Sequence, residues 1–128
     1  MKQAPYRVDQ SSSVPPSRQL VEAVLDAVAC GAIGAGDKLL SVRAMAAEAL
    51  VNPNTVAKAY RDLEALGAVE GRNGLGVFVT PDGPRLARGQ RDEATLRAFE
   101  RAALEALRAG HSAAALRDLV LDLGRKHA

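Results

Sequence analysis

The stretch 51–61 contains no acidic residue, although a quarter of the whole chain is charged. Its polar and basic side chains are Asn52, Asn54, Thr55, Lys58 and Arg61. Amide and hydroxyl groups can hydrogen-bond to base edges or phosphate oxygens, and ammonium and guanidinium groups neutralise phosphates. The free backbone amides at a helix start also favour a phosphate. The stretch therefore indicates a contact with nucleic acid.

These residues also have simpler interpretations, which the sequence leaves open. Asn52 and Asn54 flank Pro53, and asparagine is common in turns and at helix caps. Lys58 and Arg61 could be ordinary exposed basic residues. Tyr60 falls on the apolar stripe of the same segment, and we expect it in the core.

A glycine-rich segment, 71–76, offers a second place for the same chemistry. Arg72 and Asn73 put a guanidinium and an amide on a predicted hairpin tip, where Gly74 allows close backbone approach. The glycine spacing fits neither a dinucleotide-binding loop nor a P-loop. We therefore interpret the tip as a possible DNA contact and reject a nucleotide site.

Other chemistries lack the residues they need. Cys30 is the only cysteine, so an intrachain disulfide and a multi-cysteine metal site are excluded. It ends an apolar helix pattern and is expected to pack. His111 and His127 have no companion ligands at useful spacing. The sequence therefore predicts no catalytic residue, cofactor or metal, and an enzyme is the class it favours least.

Composition bounds the class of protein without naming its partner. The 128 residues carry 17 Lys and Arg against 15 Asp and Glu, a net charge of +2, which by itself shows no basic footprint. They are 48% hydrophobic and only 3% aromatic, which favours a folded helical chain with a thin core. No apolar run approaches the ~20 residues of a membrane span, and the start lacks a signal peptide's apolar stretch. We expect a cytoplasmic protein.

Hydrophobic periodicity predicts three short helices, a hairpin and two further helices. The first helix begins at Ser17 or the preceding prolines, the second is capped by Ser41, and the third covers 55–66. Strands are predicted at 68–70 and 77–79, and the last two helices run from about Asp92 to Ala109 and onward from a cap at Ser112. This organisation gives a flexible lead-in at 1–14, a winged helix-turn-helix at 15–80, a linker at 81–91 and a helical dimerisation region at 92–128.

The order of these elements is that of a winged helix-turn-helix, a mainly α fold with a small β-hairpin and, here, a short helical tail. About four residues join the second and third helices, as the motif requires. The major groove of DNA admits one helix, and a hairpin can lie along the neighbouring backbone or minor groove. The polar stretch 51–61 would then lie on the helix that enters the groove.

Several segments resemble the GntR family of bacterial transcription regulators. They are 36–43 (Gly-Asp-Lys-Leu-Leu-Ser-Val-Arg), 51–56 (Val-Asn-Pro-Asn-Thr-Val), 58–64 (Lys-Ala-Tyr-Arg-Asp-Leu-Glu) and 71–79 (Gly-Arg-Asn-Gly-Leu-Gly-Val-Phe-Val). The 51–56 segment and the short tail are similar to the YtrA subfamily. The resemblance covers residues 15–80 in order and spacing, whereas the tail matches only in length and character.

The resemblance implies a homodimeric regulator, usually a repressor, that binds an operator and dimerises through its tail helices. It assigns DNA contact to Arg43 on the second helix, to the start of the third helix at Asn52, Asn54 and Thr55, and to Gly74 in the wing. The chain departs from the family pattern twice. Leu40 replaces the usual proline before the serine, and Ala57 replaces a basic residue found in some members, so Lys58 and Arg61 would carry more of the contact.

The tail combines basic residues with two narrow apolar stripes. The stripes are suited to pairing with a second copy of the chain, and their residues are Leu96, Phe99, Ala103, Leu107, Leu116, Leu119, Val120 and Leu123. The basic cluster Arg85, Arg88 and Arg91 could touch flanking phosphates, but a solvated linker is the preferred interpretation.

Two other functions stay open at this point. An effector-responsive sensor would need a pocket, and a tail of this length leaves little volume for one, so a small-molecule effector is unsupported. A protein-interaction module, antitoxin-like, could use the same winged fold for a protein partner.

Overall fold

The structure, a computed structural model, describes residues 6–127 and falls into two units that divide between Arg91 and Asp92. The first unit is built from three helices, a hairpin and the start of a fourth helix. In chain order the elements are α1 (Pro16–Ala29), α2 (Val42–Ala49), α3 (Pro53–Ala65), β1 (Val69–Arg72), β2 (Gly76–Val79), α4 (Gly83–Arg108) and α5 (Ala113–Lys126). The mainly helical fold with one hairpin, predicted from the sequence, is confirmed.

Helix α1 forms the centre of the core. Pro16 stands at its first position, where a missing N–H costs nothing. Its apolar residues recur at helical spacing, and the face they form is buried: Leu20, Val21, Val24, Leu25 and Val28. The helix packs against α3.

The turn between α2 and α3 is short and capped on both sides. Ser41 caps α2 as predicted, because its Oγ accepts a hydrogen bond from the Ala44 amide at 3.1 Å. The C-cap of α2 is Leu50, whose φ of 59° lies in the left-handed region. Helix α3 then begins at Pro53, two residues before the predicted start at Thr55, because proline suits a first helical turn.

Helix α3 presents one apolar face to the core. Val56, Ala59 and Leu63 are fully buried, and Tyr60 lies beside them. The Tyr60 hydroxyl donates a hydrogen bond to the Leu40 carbonyl at 2.7 Å. The prediction that Tyr60 is a core residue is confirmed.

The hairpin is antiparallel and is held along the outer edge of β2. Its register pairs Val69 with Val79 and Arg72 with Gly76. The segment before α2 hydrogen-bonds to β2, with the Gly36 amide donating to the Val79 carbonyl at 2.9 Å and the Leu39 amide to the Val77 carbonyl at 2.8 Å. The base of the wing is therefore fixed to the body of the domain.

Residues 6–14 differ from the flexible lead-in expected at 1–14; residues 1–5 lie outside the described part. Tyr6 is buried in the core. The side chain of Gln19 forms three hydrogen bonds with the segment. Its Oε1 accepts from the Asp9 amide at 2.8 Å, and its Nε2 donates to the Asp9 carbonyl at 3.0 Å and to the Val14 carbonyl at 2.9 Å. The segment is anchored because its aromatic residue has a site on the helices.

The linker expected at 81–91, with a helix from about Asp92, is also corrected. Helix α4 begins at Gly83, with Pro84 in its first turn. Ala87 is buried, and a Cβ at Gly83 would lie 2.7 Å from both the Ala68 carbonyl and a methyl of Val79. This close packing holds the start of α4 against the hairpin.

The second unit contains the end of α4 and the whole of α5. Gly110, with a φ of 102°, follows α4, and Ser112 caps α5 as predicted by accepting from the Ala115 amide at 3.1 Å. None of the described residues from 92 to 127 is buried. Within residues 6–127, no helix is long and apolar enough to cross a membrane.

Candidate nucleic-acid interface

The outer face of α3 carries three of the predicted contact residues. Asn54, Lys58 and Arg61 recur at i, i+4 and i+7, which places them on one side of the helix. All three are exposed, whereas the opposite side is buried in the core. The face is therefore polar and basic, and its position lets it enter a groove without disturbing the fold.

The start of α3 shows that Asn52 has the capping role that its sequence context allowed. Its Oδ1 accepts a hydrogen bond from the Asn54 amide at 2.8 Å. The side-chain amide nitrogen of Asn52 has no hydrogen-bond partner within the described residues. Thr55 is half-buried, and its backbone amide donates to the Asn52 carbonyl at 2.9 Å. Capping by the oxygen thus leaves the amide donors of Asn52 for a ligand.

The basic side chains of the helix-turn-helix differ in whether they form an ion pair. Arg43 and Arg61 are exposed, and neither makes an ion pair within residues 6–127. Lys58 pairs with Asp62 at 3.1 Å, with both side chains about half exposed. Such pairs contribute about 0–1 kcal/mol, so a phosphate can replace the carboxylate at little cost.

The wing tip combines a turn with a stacked guanidinium. Gly74 has a φ of 72°, and the Leu75 amide closes the turn on the Arg72 carbonyl at 2.9 Å. The Arg72 guanidinium lies 4.4 Å from the centroid of the Phe78 ring and pairs with Glu70 at 3.1 Å. Stacking on an aromatic face restrains the arginine. The sequence predicted Arg72, Asn73 and Gly74 at an exposed tip, but not this stack.

A hydrogen bond joins α3 to the wing. The Gly71 amide donates to Oε2 of Glu64 at 3.0 Å. Sequence reasoning gave Glu64 no role, because nothing in the linear pattern shows which way the hairpin turns back. The fold thus brings the polar face of α3 and the wing tip onto two directly connected elements, with Arg43 on the preceding helix.

Two buried tyrosines keep their hydroxyl protons at physiological pH. Burial, with a smaller effect from Glu48, raises the pKa of Tyr6 to about 12. Burial also raises the pKa of Tyr60, with Tyr6 contributing. Tyr60 uses its hydroxyl on Leu40, whereas the Tyr6 hydroxyl has no partner in the described structure. The hydroxyl of Tyr60 thereby joins α3 to the segment before α2.

Cys30 follows α1 and the two histidines lie in the second unit, so none of them belongs to α2, α3 or the hairpin. Cys30 is exposed, so the expectation that it packs is wrong. The helix α1 ends at Ala29, and its last buried residue is Val28, so Cys30 lies beyond the apolar face. No group of three potential metal ligands occurs among the described residues.

The predicted dimerisation residues of the second unit are exposed. Leu96 is 68% and Phe99 55% exposed, and Leu107, Leu119, Val120 and Leu123 are each between 44% and 54%. Ala103 and Leu116 are half-buried. Leu104 and Leu121, which the stripes did not include, are exposed as well. This unit therefore shows much apolar surface without a cover.

The chain is similar to known regulators in both sequence and structure. It is 38% identical over 74 residues to the HTH-type transcriptional repressor YtrA of Bacillus subtilis (strain 168), covering 58% of this chain and 57% of that protein. It is 42% identical over 74 residues to the HTH-type transcriptional regulator Rv1152 of Mycobacterium tuberculosis, covering 58% and 61%. The chain thus matches less than two thirds of the length of either relative.

A solved structure covers more of the chain. A GntR family transcriptional regulator from Listeria monocytogenes superposes with a TM-score of 0.76 at 29% identity, covering 89% of this chain and 97% of that one. Residues 16–79, half of the chain, match the family model described as bacterial regulatory proteins, gntR family. These are regulatory proteins rather than enzymes, and the resemblance seen in the sequence is confirmed. The chain belongs to the GntR family of bacterial regulatory proteins.

Proposed function

We propose that this chain is a cytoplasmic, sequence-specific DNA-binding transcriptional regulator that represses by binding a palindromic operator as a homodimer. The observation that carries the proposal is the exposed polar and basic face of α3 formed by Asn54, Lys58 and Arg61. It lies opposite the buried face of the helix and extends over its first nine residues. In a winged helix-turn-helix this is the helix that enters the major groove.

The contacts divide by chemistry. Asparagine amides hydrogen-bond to adenine edges, and arginine guanidinium groups hydrogen-bond to guanine edges. The DNA sequence preference therefore comes from the asparagines and arginines of α2, α3 and the α3 cap, which are Arg43, Asn52, Asn54 and Arg61. Thr55 and Lys58 bind phosphates, which supplies affinity and register. Arg72, Asn73 and Gly74 reach the adjacent backbone or minor groove from the wing.

The homodimer is supported by the apolar surface of the second unit. Exposed leucine, valine and phenylalanine side chains recur along both of its helices. Contiguous apolar surface of this kind marks an interaction site. A second copy of the chain has the same surface, so two copies can pair around a two-fold axis. The two α3 helices of such a dimer would bind a palindromic site. Repression is inferred from the similarity to a protein named as a repressor.

Selection of duplexes from a random-sequence DNA pool tests the function. We expect enrichment of a palindrome whose half-sites are one helical turn, about 10 base pairs, or a multiple of it apart. Affinity should fall steeply with salt, because phosphate contacts release counterions. A pool that shows no enrichment at low salt would contradict DNA recognition, and a single unrepeated half-site would contradict the dimer.

A further inference from the structure

Glu64 lies near the end of α3, where this helix contacts the wing hairpin. It is the twelfth residue of α3, which ends at Ala65, and its Oε2 accepts the Gly71 amide at 3.0 Å. Gly71 is the third residue of β1, directly before Arg72. The carboxylate thus occupies the edge of β1 that β2 leaves unpaired.

The two edges of the hairpin are held differently. The β2 edge is bonded along its length by the segment before α2, including the Val79 amide donating to the Asp37 carbonyl at 2.9 Å. Between α3 and the strand Val69–Arg72, the bond from Gly71 to Glu64 is the one the described residues show. The base of the hairpin is held by the buried Val69 and Val79, and farther out along β1 the Glu64 carboxylate adds a direct bond from α3.

We propose that Glu64 is a positioning residue for DNA binding, one that fixes the wing against α3 so that both reach the same duplex. The proposal rests on the proposed function. A carboxylate that accepts an amide hydrogen bond makes a stronger contact than a neutral acceptor does. The bond from Gly71 to Glu64 raises the fraction of free molecules in which the wing has the orientation that DNA binding requires. Operator affinity scales with that fraction.

The charge of Glu64 argues for this role. A carboxylate on the reading helix repels phosphates, so its charge alone weakens DNA binding. A favourable contribution of Glu64 to DNA binding therefore has to come from the bond to Gly71. Glu64→Gln removes the charge and keeps an oxygen acceptor, whereas Glu64→Ala removes both. Comparing these two variants isolates the hydrogen bond from the charge.

The first measurement is the affinity of both full-length variants for a fluorescein-labelled duplex recovered from the random pool by the unmodified chain. We expect Glu64→Ala to bind on the order of three- to tenfold more weakly than Glu64→Gln, the range that one hydrogen bond spans. Equal affinities of the two variants would overturn the proposal. Circular dichroism checks that both remain folded, as the exposed position leads us to expect.

The second measurement asks whether the effect passes through the wing. Arg72→Ala removes the guanidinium at the wing tip. If Glu64 positions the wing, the penalty of Glu64→Ala relative to Glu64→Gln shrinks toward zero in the Arg72→Ala background. A penalty that persists in full would show an effect on α3 itself and would overturn the assignment.

A third measurement needs no DNA. Amide hydrogen exchange at Gly71 should be several-fold faster in Glu64→Ala than in Glu64→Gln, while the Val79 amide, bonded to Asp37, stays unchanged as the control. Unchanged exchange at Gly71 would refute the positioning role. A chain that shows this pattern yet binds no duplex would refute the proposed function and with it the role in DNA binding, and would leave only the contact between Glu64 and the wing confirmed.

Discussion

At the scale of single residues, Arg43 is the clearest test of DNA contact. It is exposed on α2 and makes no ion pair within residues 6–127, so its removal costs the described fold no ion pair. We expect Arg43→Ala to lower operator affinity by about 1–3 kcal/mol if the guanidinium reads a base, with discrimination relaxed at one position. Helical content should not change.

Titration of the selected duplex at matched salt, with circular dichroism alongside, measures both effects. Arg18→Ala is the matched control, because Arg18 is an exposed arginine on α1 whose ion pair among the described residues is with Glu22. Operator affinity equal to that of the unmodified chain would remove the role assigned to Arg43. A lowered salt slope without a change in discrimination would move Arg43 to the phosphate contacts.

Leu50 stores backbone strain in the turn between α2 and α3. It is the one non-glycine residue with a positive φ in the described structure, and its side chain is 68% exposed. A left-handed conformation costs an L-residue roughly 1–2 kcal/mol. Glycine avoids this cost, but it loses more conformational entropy on folding, which offsets part of the gain. We expect Leu50→Gly to stabilise the chain by about 1 kcal/mol in urea unfolding. Leu50→Ala keeps the strain and should bring no such gain.

At the scale of elements, the two buried tyrosines hold different parts of the first unit. Tyr60 bonds α3 to the Leu40 carbonyl, whereas Tyr6 packs with an unpartnered hydroxyl. Tyr60→Phe should therefore lower the free energy of unfolding by about 1–2 kcal/mol, because a half-buried carbonyl loses its donor. Tyr6→Phe should be neutral or slightly stabilising at pH 7. Similar losses in both variants would contradict this contrast.

The same tyrosines predict loss of stability in alkali. Burial raises the folded pKa of Tyr6 from 10.0 to about 12, so the folded state holds the phenol proton more tightly than the unfolded state does. Stability from this group is complete below pH 10 and is lost as the pH rises from 10 to about 12. Urea unfolding at a series of pH values should show a shallower alkaline decline for Tyr6→Phe. An identical decline in both chains would contradict the assignment.

The elements also show what the sequence could predict. Helices α1 to α3 follow from apolar spacing and from caps such as Ser41, because both signals are local. The anchoring of Tyr6 and the early start of α4 depend on surfaces contributed by distant segments. Likewise, the residue types on α3 and at the wing tip indicated a DNA contact. The Glu64–Gly71 bond and the stack of Arg72 on Phe78 arise only once the hairpin has folded back.

At the scale of the whole molecule, the proposed dimer depends on the second unit. Phe99 and Leu119 are 55% and 54% exposed, so glutamate at both positions leaves the protomer folded. Charges in an apolar interface are costly to bury. We expect Phe99→Glu combined with Leu119→Glu to sediment as a monomer. Leu75→Glu, which changes a leucine of similar exposure at the hairpin tip, should leave the dimer intact.

The loss of the dimer should appear in DNA binding only where two half-sites are present. Linked reading domains gain an effective concentration, which raises affinity by roughly 10²–10⁴ over a single domain. The double variant should therefore lose most of its affinity for the full palindrome and keep the unmodified affinity for an isolated half-site. Equal loss on both duplexes would indicate damage to the reading domain. A double variant that still sediments as a dimer would show that the copies pair through another surface.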